Sequence, residues 1–232
     1  VGVGPGDPDL LTLKAIRAIQ DSAVVFVPRG EKGERSQALE IISSFLRVEQ
    51  EVRELLLPMT RDEHSLSLAW EKAAGEVLDV LEGGRDAAFV TLGDSTLYST
   101  FYYLCEALRR QRPDVEVVTV PGISSFSAGA AALNRALAVG RESLAIVPAS
   151  CGLDFIRRVL MDFDCVVILK VAPLLGELFG LLAEMGRLED AAYVCRCGMP
   201  GEFLGERVSD AEGLPKDYFS LVLVRGKRPS PK

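Results

Sequence analysis

Three glycines, Gly2, Gly4 and Gly6, alternate through the opening stretch VGVGPGDPDLL. They stand between an apolar start and a run of helical character. A glycine-rich turn after a strand commonly serves a phosphate, because glycine admits positive φ and lets the backbone approach a ligand closely. The residue types here argue against both standard forms. A Walker loop ends in Gly-Lys-Ser/Thr, whereas this turn ends in Gly6-Asp7-Pro8, and Asp7 would repel a phosphate. The dinucleotide fingerprint spaces its glycines G-x-G-x-x-G. This chain has G-x-G-x-G with Pro5 inside, and its next strand ends in FVPRG with no acidic residue for a ribose. A tight strand-to-helix turn stays open, as does a ligand of another kind.

Two further stretches have the same character. TLGDSTLYST puts Gly93 and Asp94 at the carboxyl end of the apolar run DAAFVTL (86–92), just before a helix. In open α/β sheets that edge binds ligands. Gly93 would let a ligand reach the backbone, while Asp94 with Ser95 or Thr96 supplies either polar contacts or a helix cap. VPGISSFSAGAAAL joins a proline-glycine turn and Ser124-Ser125 to a helix of very small residues. That helix is either a smooth wall for a flat ligand or a closely packed one. Cys195 and Cys197 would share one face of a strand, as buried thiols or as part of a metal site that lacks further ligands. His64 is the single histidine, in a charged stretch, and is read either as solvent-exposed or as a contact to a metal or ring nitrogen.

These stretches need elements to hold them, and the pattern supplies strands alternating with helices, the α/β signature. AVVFV (23–27) suits a strand covered on both faces. Trp70, Ala73, Ala74, Val77 and Leu81 recur at helical spacing before Gly83-Gly84, and Leu97, Phe101, Leu104 and Leu108 form a second stripe. VEVVTV (115–120) reads as a strand, as do 143–148, 165–171, 191–197 and 218–224, with helical runs near 153–161 and 174–186. RGEKGERSQ (29–37) reads as a mobile loop and ELLLPMTRDEH (54–64) as a connection. Pairing is expected to shift from parallel to mixed near 119–122. This gives two α/β domains, 1–118 with a mostly parallel sheet and 119–232 with a mixed one.

The 232 residues are 48% apolar and 25% charged, with a net charge of −7, which argues against bulk binding to nucleic acid or anionic lipid. No stretch reaches the roughly 18 apolar residues of a membrane helix. The start has no signal-peptide pattern, and, lacking methionine, it is expected to follow a few further residues. Five scattered cysteines, at 105, 151, 165, 195 and 197, do not resemble a disulfide framework and fit a reducing cytoplasm.

Taken together, the N-terminal GxGxGD with LLT, the Gly-Asp loop at 93–94 and VPGISS near 122 resemble the tetrapyrrole (corrin/porphyrin) methylase family. The resemblance runs along essentially the whole chain, including ILK at 168–170 and the late YFSLVLV. It implies a transferase using S-adenosylmethionine, two α/β domains with the active site in the cleft between them, and a homodimer. LLLPMTRD, the tryptophan in AWEKAA and FVTLGDSTLYSTFYYL look like the branch that methylates C20 of precorrin-2. Metal-free and cobalt forms of the ring both stay open, as do another ring position and a degenerate member that only binds tetrapyrrole. Pro28 stands where a uroporphyrinogen methylase typically has aspartate, and Ser95 where the family usually has proline. By this resemblance Pro5, Leu92, Gly93, Asp94, Leu97, Ser124, Ser125, Leu169 and Cys197 would face the methyl donor. Gly4, Gly6 and Asp7 would face the tetrapyrrole. Arg29, Lys32 and Arg35 are candidates to meet the carboxylates of that polyanionic substrate, or else form a solvated charged loop.

Overall fold

The computed structural model describes residues 1–30, 36–58, 62–213 and 216–226. The chain divides into two compact units, Val1–Ser124 and Ser125–Lys232.

In the first unit, Thr12 caps helix α1 (Leu13–Asp21) by accepting from Ala15 N at 3.1 Å. The chain continues through strand β1 (Val24–Arg29), helix α2 (Gln37–Ile42), strand β2 (Glu51–Leu56) and helix α3 (Glu63–Glu82). Strand β3 (Ala87–Phe89) and helix α4 (Phe101–Gln111) follow. The three strands are parallel, in the order β2-β1-β3. Central strand β1 is buried on both faces, as its unbroken apolar run requires. Val25 and Val27 face Ala15, Ile19, Ile41 and Ile42. Val24 and Phe26 face Trp70, Ala74, Val77, Leu104 and Leu108. Beyond β3 the opening residues extend the sheet: Gly2 pairs with Thr91 in the parallel sense and Gly4 with Gly93 in the antiparallel sense.

Three expectations for this unit change. β2 occupies part of the stretch read as a connection. It is an edge strand whose residues are mostly partly buried or exposed, so its apolar signal is weak. The 115–119 stretch of VEVVTV pairs with no strand among the described residues; only Val120 engages, its carbonyl accepting from Gly2 N at 2.9 Å. Leu97 falls outside α4 because Tyr98 has φ 50°, which a right-handed helix does not admit.

The second unit opens with helix α5 (Ser125–Ala132) and continues through strand β4 (Leu144–Pro148), helix α6 (Leu153–Asp162) and strand β5 (Cys165–Leu169). Helix α7 (Leu175–Glu184) and strands β6 (Ala191–Cys195), β7 (Phe203–Gly205) and β8 (Ser220–Arg225) complete it. The sheet order is β4-β5-β8-β6-β7, with β4 parallel to β5 and β8 antiparallel to both β5 and β6. Helices α6 and α7 bury Ile156, Leu160, Leu178 and Leu182 against Val166, Ile168, Tyr193 and Val222. Full burial of each such aliphatic side chain stabilises by about 1.5–3 kcal/mol. On the other face α5 lies so close to β6 that a Cβ at Gly129 would sit 3.1 Å from both Val194 methyls. Close packing therefore accounts for Gly129, while Ser127, Ala131 and Ala132 of that helix are exposed. β5 and β6 stop at Leu169 and Cys195, two residues short of the expected ends, because Lys170 (φ 57°) and Arg196 (φ 51°) turn left-handed. Among the described residues no helix is long and apolar enough to cross a membrane.

Candidate active site

Three loops meet at the carboxyl end of the first sheet, backbone against backbone. Gly4 N donates to Gly93 O at 3.1 Å and Gly93 N donates back to Gly4 O at 2.7 Å. Both glycines have positive φ, 78° and 72°, a region that disfavours side-chain-bearing residues. Gly2 and Gly122 close the contact. A Cβ on Gly122 would lie 2.3 Å from Gly93 O and 2.7 Å from Gly2 C, and one on Gly2 would lie 2.7 Å from Gly122 N. Gly93 differs from these two, since nothing lies within 4 Å of where its Cβ would be. Its outer side is open.

Asp94 fastens the loop. Its Oδ2 accepts from Gly122 N at 2.8 Å, and its Oδ1 accepts from Thr96 N at 2.8 Å and from the Thr96 hydroxyl. Burial alone would raise the Asp94 pKa, but the Thr96 hydroxyl and the Gly122 and Thr96 amides outweigh it and hold the carboxyl below its ordinary value. Asp94 is therefore ionised at neutral pH with both oxygens engaged, which suits shaping a loop and not moving a proton. Ser95, fully buried, donates from Oγ to Val120 O at 2.9 Å. Neither residue caps α4, which starts at Phe101; Ser99 Oγ accepts from Phe101 N at 3.2 Å instead.

The structure gathers Gly4, Gly93 and Asp94 at one place, with the buried Pro5 next to Gly4 and the partly buried Leu92 next to Gly93. Leu97, also partly buried, follows in the same loop. Gly6 and Asp7 follow Pro5, and Asp7 Oδ1 accepts from Asp9 N at 2.9 Å, capping the short 3-10 turn Pro8–Leu10. Arg29 ends β1, where its Nη1 pairs with Glu54 Oε2 at 2.8 Å and its Nε is buried without a partner. Lys32 and Arg35 lie outside the described residues. His64 is exposed in the first turn of α3.

In the second unit β5 and β6 run the same way, since both oppose β8. Leu169 and Cys197 therefore flank β8 at one edge of the sheet, Leu169 partly buried and Cys197 buried. Ser125 begins α5 and Ser124 precedes it. The left-handed Lys170 and Arg196 stand at that same edge. Such backbone costs a side-chain-bearing residue about 1–2 kcal/mol. Their contacts to the segment before β8 return comparable or smaller amounts. Lys170 Nζ lies 5.7 Å from the centre of the Tyr218 ring, an exposed arrangement contributing roughly 0.5–1 kcal/mol. Arg196 Nη1 lies 3.1 Å from Asp217 Oδ2, a partly exposed pair contributing about 0–1 kcal/mol.

Burial keeps three nucleophile-bearing side chains of the second unit, Cys165, Tyr193 and Cys195, in their protonated forms. Burial pushes the Cys165 thiol up to about 11 and the Tyr193 hydroxyl up to about 12, and it raises Cys195 as well. Among the described residues no group of three or more histidine, cysteine, aspartate or glutamate side chains is placed to hold a metal ion. The open side of Gly93 beside the fully engaged Asp94 suits holding a ligand against the backbone.

A family profile decides what kind of protein this is: that of the tetrapyrrole (corrin/porphyrin) methylases matches residues 1–209. The chain belongs to that family. It is 33% identical over 225 residues to a cobalt-precorrin-2 C(20)-methyltransferase of Salmonella typhimurium, covering 97% of this chain and 94% of the relative. It is 42% identical over 174 residues to a probable cobalt-precorrin-2 C(20)-methyltransferase of Methanocaldococcus jannaschii, 75% of this chain and 72% of the relative. The crystal structure of a cobalt precorrin-4 methyltransferase superposes with a TM-score of 0.75 at 22% identity, over 97% of this chain and 92% of that one. For this methylase the glycine contacts were the part hidden from sequence. The proline-glycine pair of VPGISS marked a turn at Gly122, but nothing local showed that Gly2 and Gly93 would touch it. Lys170 and Arg196 gave no signal, because both residue types ordinarily avoid positive φ.

Proposed function

We propose that this methylase transfers a methyl group from S-adenosylmethionine to C20 of precorrin-2 or of its cobalt complex, a step of corrin-ring synthesis. Similarity to a cobalt-precorrin-2 C(20)-methyltransferase along nearly the full length of both chains carries this reading. The chemistry supplied by the donor is a methyl on positively charged sulfur, open to displacement by an electron-rich ring carbon. The chain's own task is to hold the two nearly in line, at ~3–3.5 Å, and to exclude water.

The residues fit that task. Gly93 presents an open outer side and a left-handed backbone, a surface against which a ligand can lie. Pro5, Leu92, Asp94 and Leu97 border it, and we assign this group to the donor. In the second unit we assign Ser125, Leu169 and Cys197 to the same role, and Ser124 to it where the first unit ends. Gly4, Gly6 and Asp7 are assigned to the ring. Arg29 is assigned to a substrate carboxylate, which must compete with Glu54 for the guanidinium. We further assign the protein to the cytoplasm as a homodimer; a one-chain mass by light scattering would remove the dimer.

The test is product analysis. The purified protein is incubated with methyl-labelled S-adenosylmethionine and precorrin-2, with and without cobalt, and the product is examined by NMR. Label at C20 is expected, and label at another carbon, or none, would overturn the reading.

A further inference from the structure

The two strands that flank β8 end alike. Leu169 is followed by Lys170 and Cys195 by Arg196, each left-handed, on either side of β8. Glycine is the ordinary choice for such a position, and this chain uses it close by at Gly198 and Gly201. Backbone strain of this kind persists where the surroundings impose it and gathers at ligand sites.

The register shows how the edge is built. Leu169 stands opposite Leu221, yet Val171 N donates to Ser220 O at 3.3 Å, one residue out of step. The pairing thus slips by one residue at Lys170, where the strand ends. On the other flank Arg196 N donates to Phe219 O at 2.8 Å in the register of β6. Both side chains then reach the segment leading into β8. Lys170 lies over the Tyr218 ring and Arg196 pairs with Asp217, while Arg196 Nε donates to Pro200 O at 2.7 Å. Asp217 is held from within its own turn as well, its Oδ1 accepting from Phe219 N at 2.8 Å and its carbonyl from Ser220 Oγ at 2.7 Å.

For Lys170 the ring contact does not exceed the strain it accompanies, whereas Arg196 adds its bond to Pro200 O to the Asp217 pair; what the two share is the segment they hold. We propose that Lys170 and Arg196 are positioning residues, clamping Asp217 and Tyr218 at the edge where Leu169 and Cys197 present the methyl donor's binding surface. This rests on the assignment of that edge under the proposed function. It adds two basic residues that act through their neighbours and not on the reacting atoms.

Glycine variants separate the two roles, because Lys170→Gly and Arg196→Gly keep the left-handed backbone and delete the side-chain contacts, for Arg196 the bond to Pro200 O included. Binding of S-adenosylhomocysteine is measured by calorimetry, and melting temperature on the same samples. Each variant is expected to weaken binding about tenfold with the melting temperature within about 4 °C of wild type, and Lys170→Arg or Arg196→Lys to restore most of the affinity. Glycine variants that bind within twofold of the wild type would overturn the clamp. So would losses of affinity that follow equal losses of thermal stability. A wild type that does not bind S-adenosylhomocysteine would overturn the donor assignment itself, and the clamp with it.

Discussion

At the edge of the first sheet the chain turns left-handed through Gly4 and Gly93, and at the edge of the second through Lys170 and Arg196. The glycine edge has little strain and leaves room: three backbones touch, and one side of Gly93 stays open. The basic edge is strained and filled, with each side chain engaged by a neighbour in the 217–218 segment. Where a ligand must reach the main chain, removing side chains makes the space. Where a loop must be held still, a strained residue that can grip is worth its strain.

That contrast is most severely tested at Gly122. Gly122→Ala puts a methyl on backbone atoms that cannot step aside, and overpacking of a well-packed site costs about 1–3 kcal/mol or more. We expect a loss of roughly 3 kcal/mol in urea unfolding, and an unchanged midpoint would show that the three loops are not in contact.

Asp94→Ala comes next. It leaves the part-buried Gly122 amide and the exposed Thr96 amide without their acceptor, a loss of about 1–1.5 kcal/mol. The carboxyl's native pKa is lowered, so its stabilisation is present above the unfolded value of about 3.9 and fades as pH falls through the native one. Asp94→Asn should flatten that part of the acid-unfolding curve, and an unaltered curve would mean that the clasp is absent.

Gly93→Ala meets no clash, only the left-handed strain of about 1 kcal/mol. Its stability loss should be the smaller effect, while affinity for S-adenosylhomocysteine falls much further. Equal small changes in both would place the ligand elsewhere. The smallest shift is expected for Lys170→Gly, whose stability should stay within about 1 kcal/mol of wild type, relief of strain being offset by a freer unfolded chain.

Much of the architecture was legible because it rests on burial. The stripe of Trp70, Ala73, Ala74 and Val77 marked α3, and the unbroken AVVFV marked a strand covered on both faces. The Gly93-Asp94 loop was found because its place after a buried run is a matter of order along the chain. The misses share another origin. β2 is an edge strand with half-exposed charged residues, so its period carried little apolar contrast. VEVVTV has strand-like composition, but only Val120 finds a partner. The early ends of β5 and β6, and the late start of α4, come from single residues (Lys170, Arg196 and Tyr98) whose positive φ no local pattern of residue types encodes.

The outer edge of β2 has a consequence for the protein in solution. An edge strand is a template for any chain that can hydrogen-bond to it, and interleaved charge is a common deterrent. Here Arg53 and Arg85 both bond Glu51, at 2.6 and 2.8 Å, and Arg29 bonds Glu54 at 2.8 Å. At about 1 M salt the screening length is still roughly 3 Å, longer than these pairs, so the fence persists in front of the backbone it guards. Strong brine and dilute buffer therefore leave this edge guarded alike against an incoming strand.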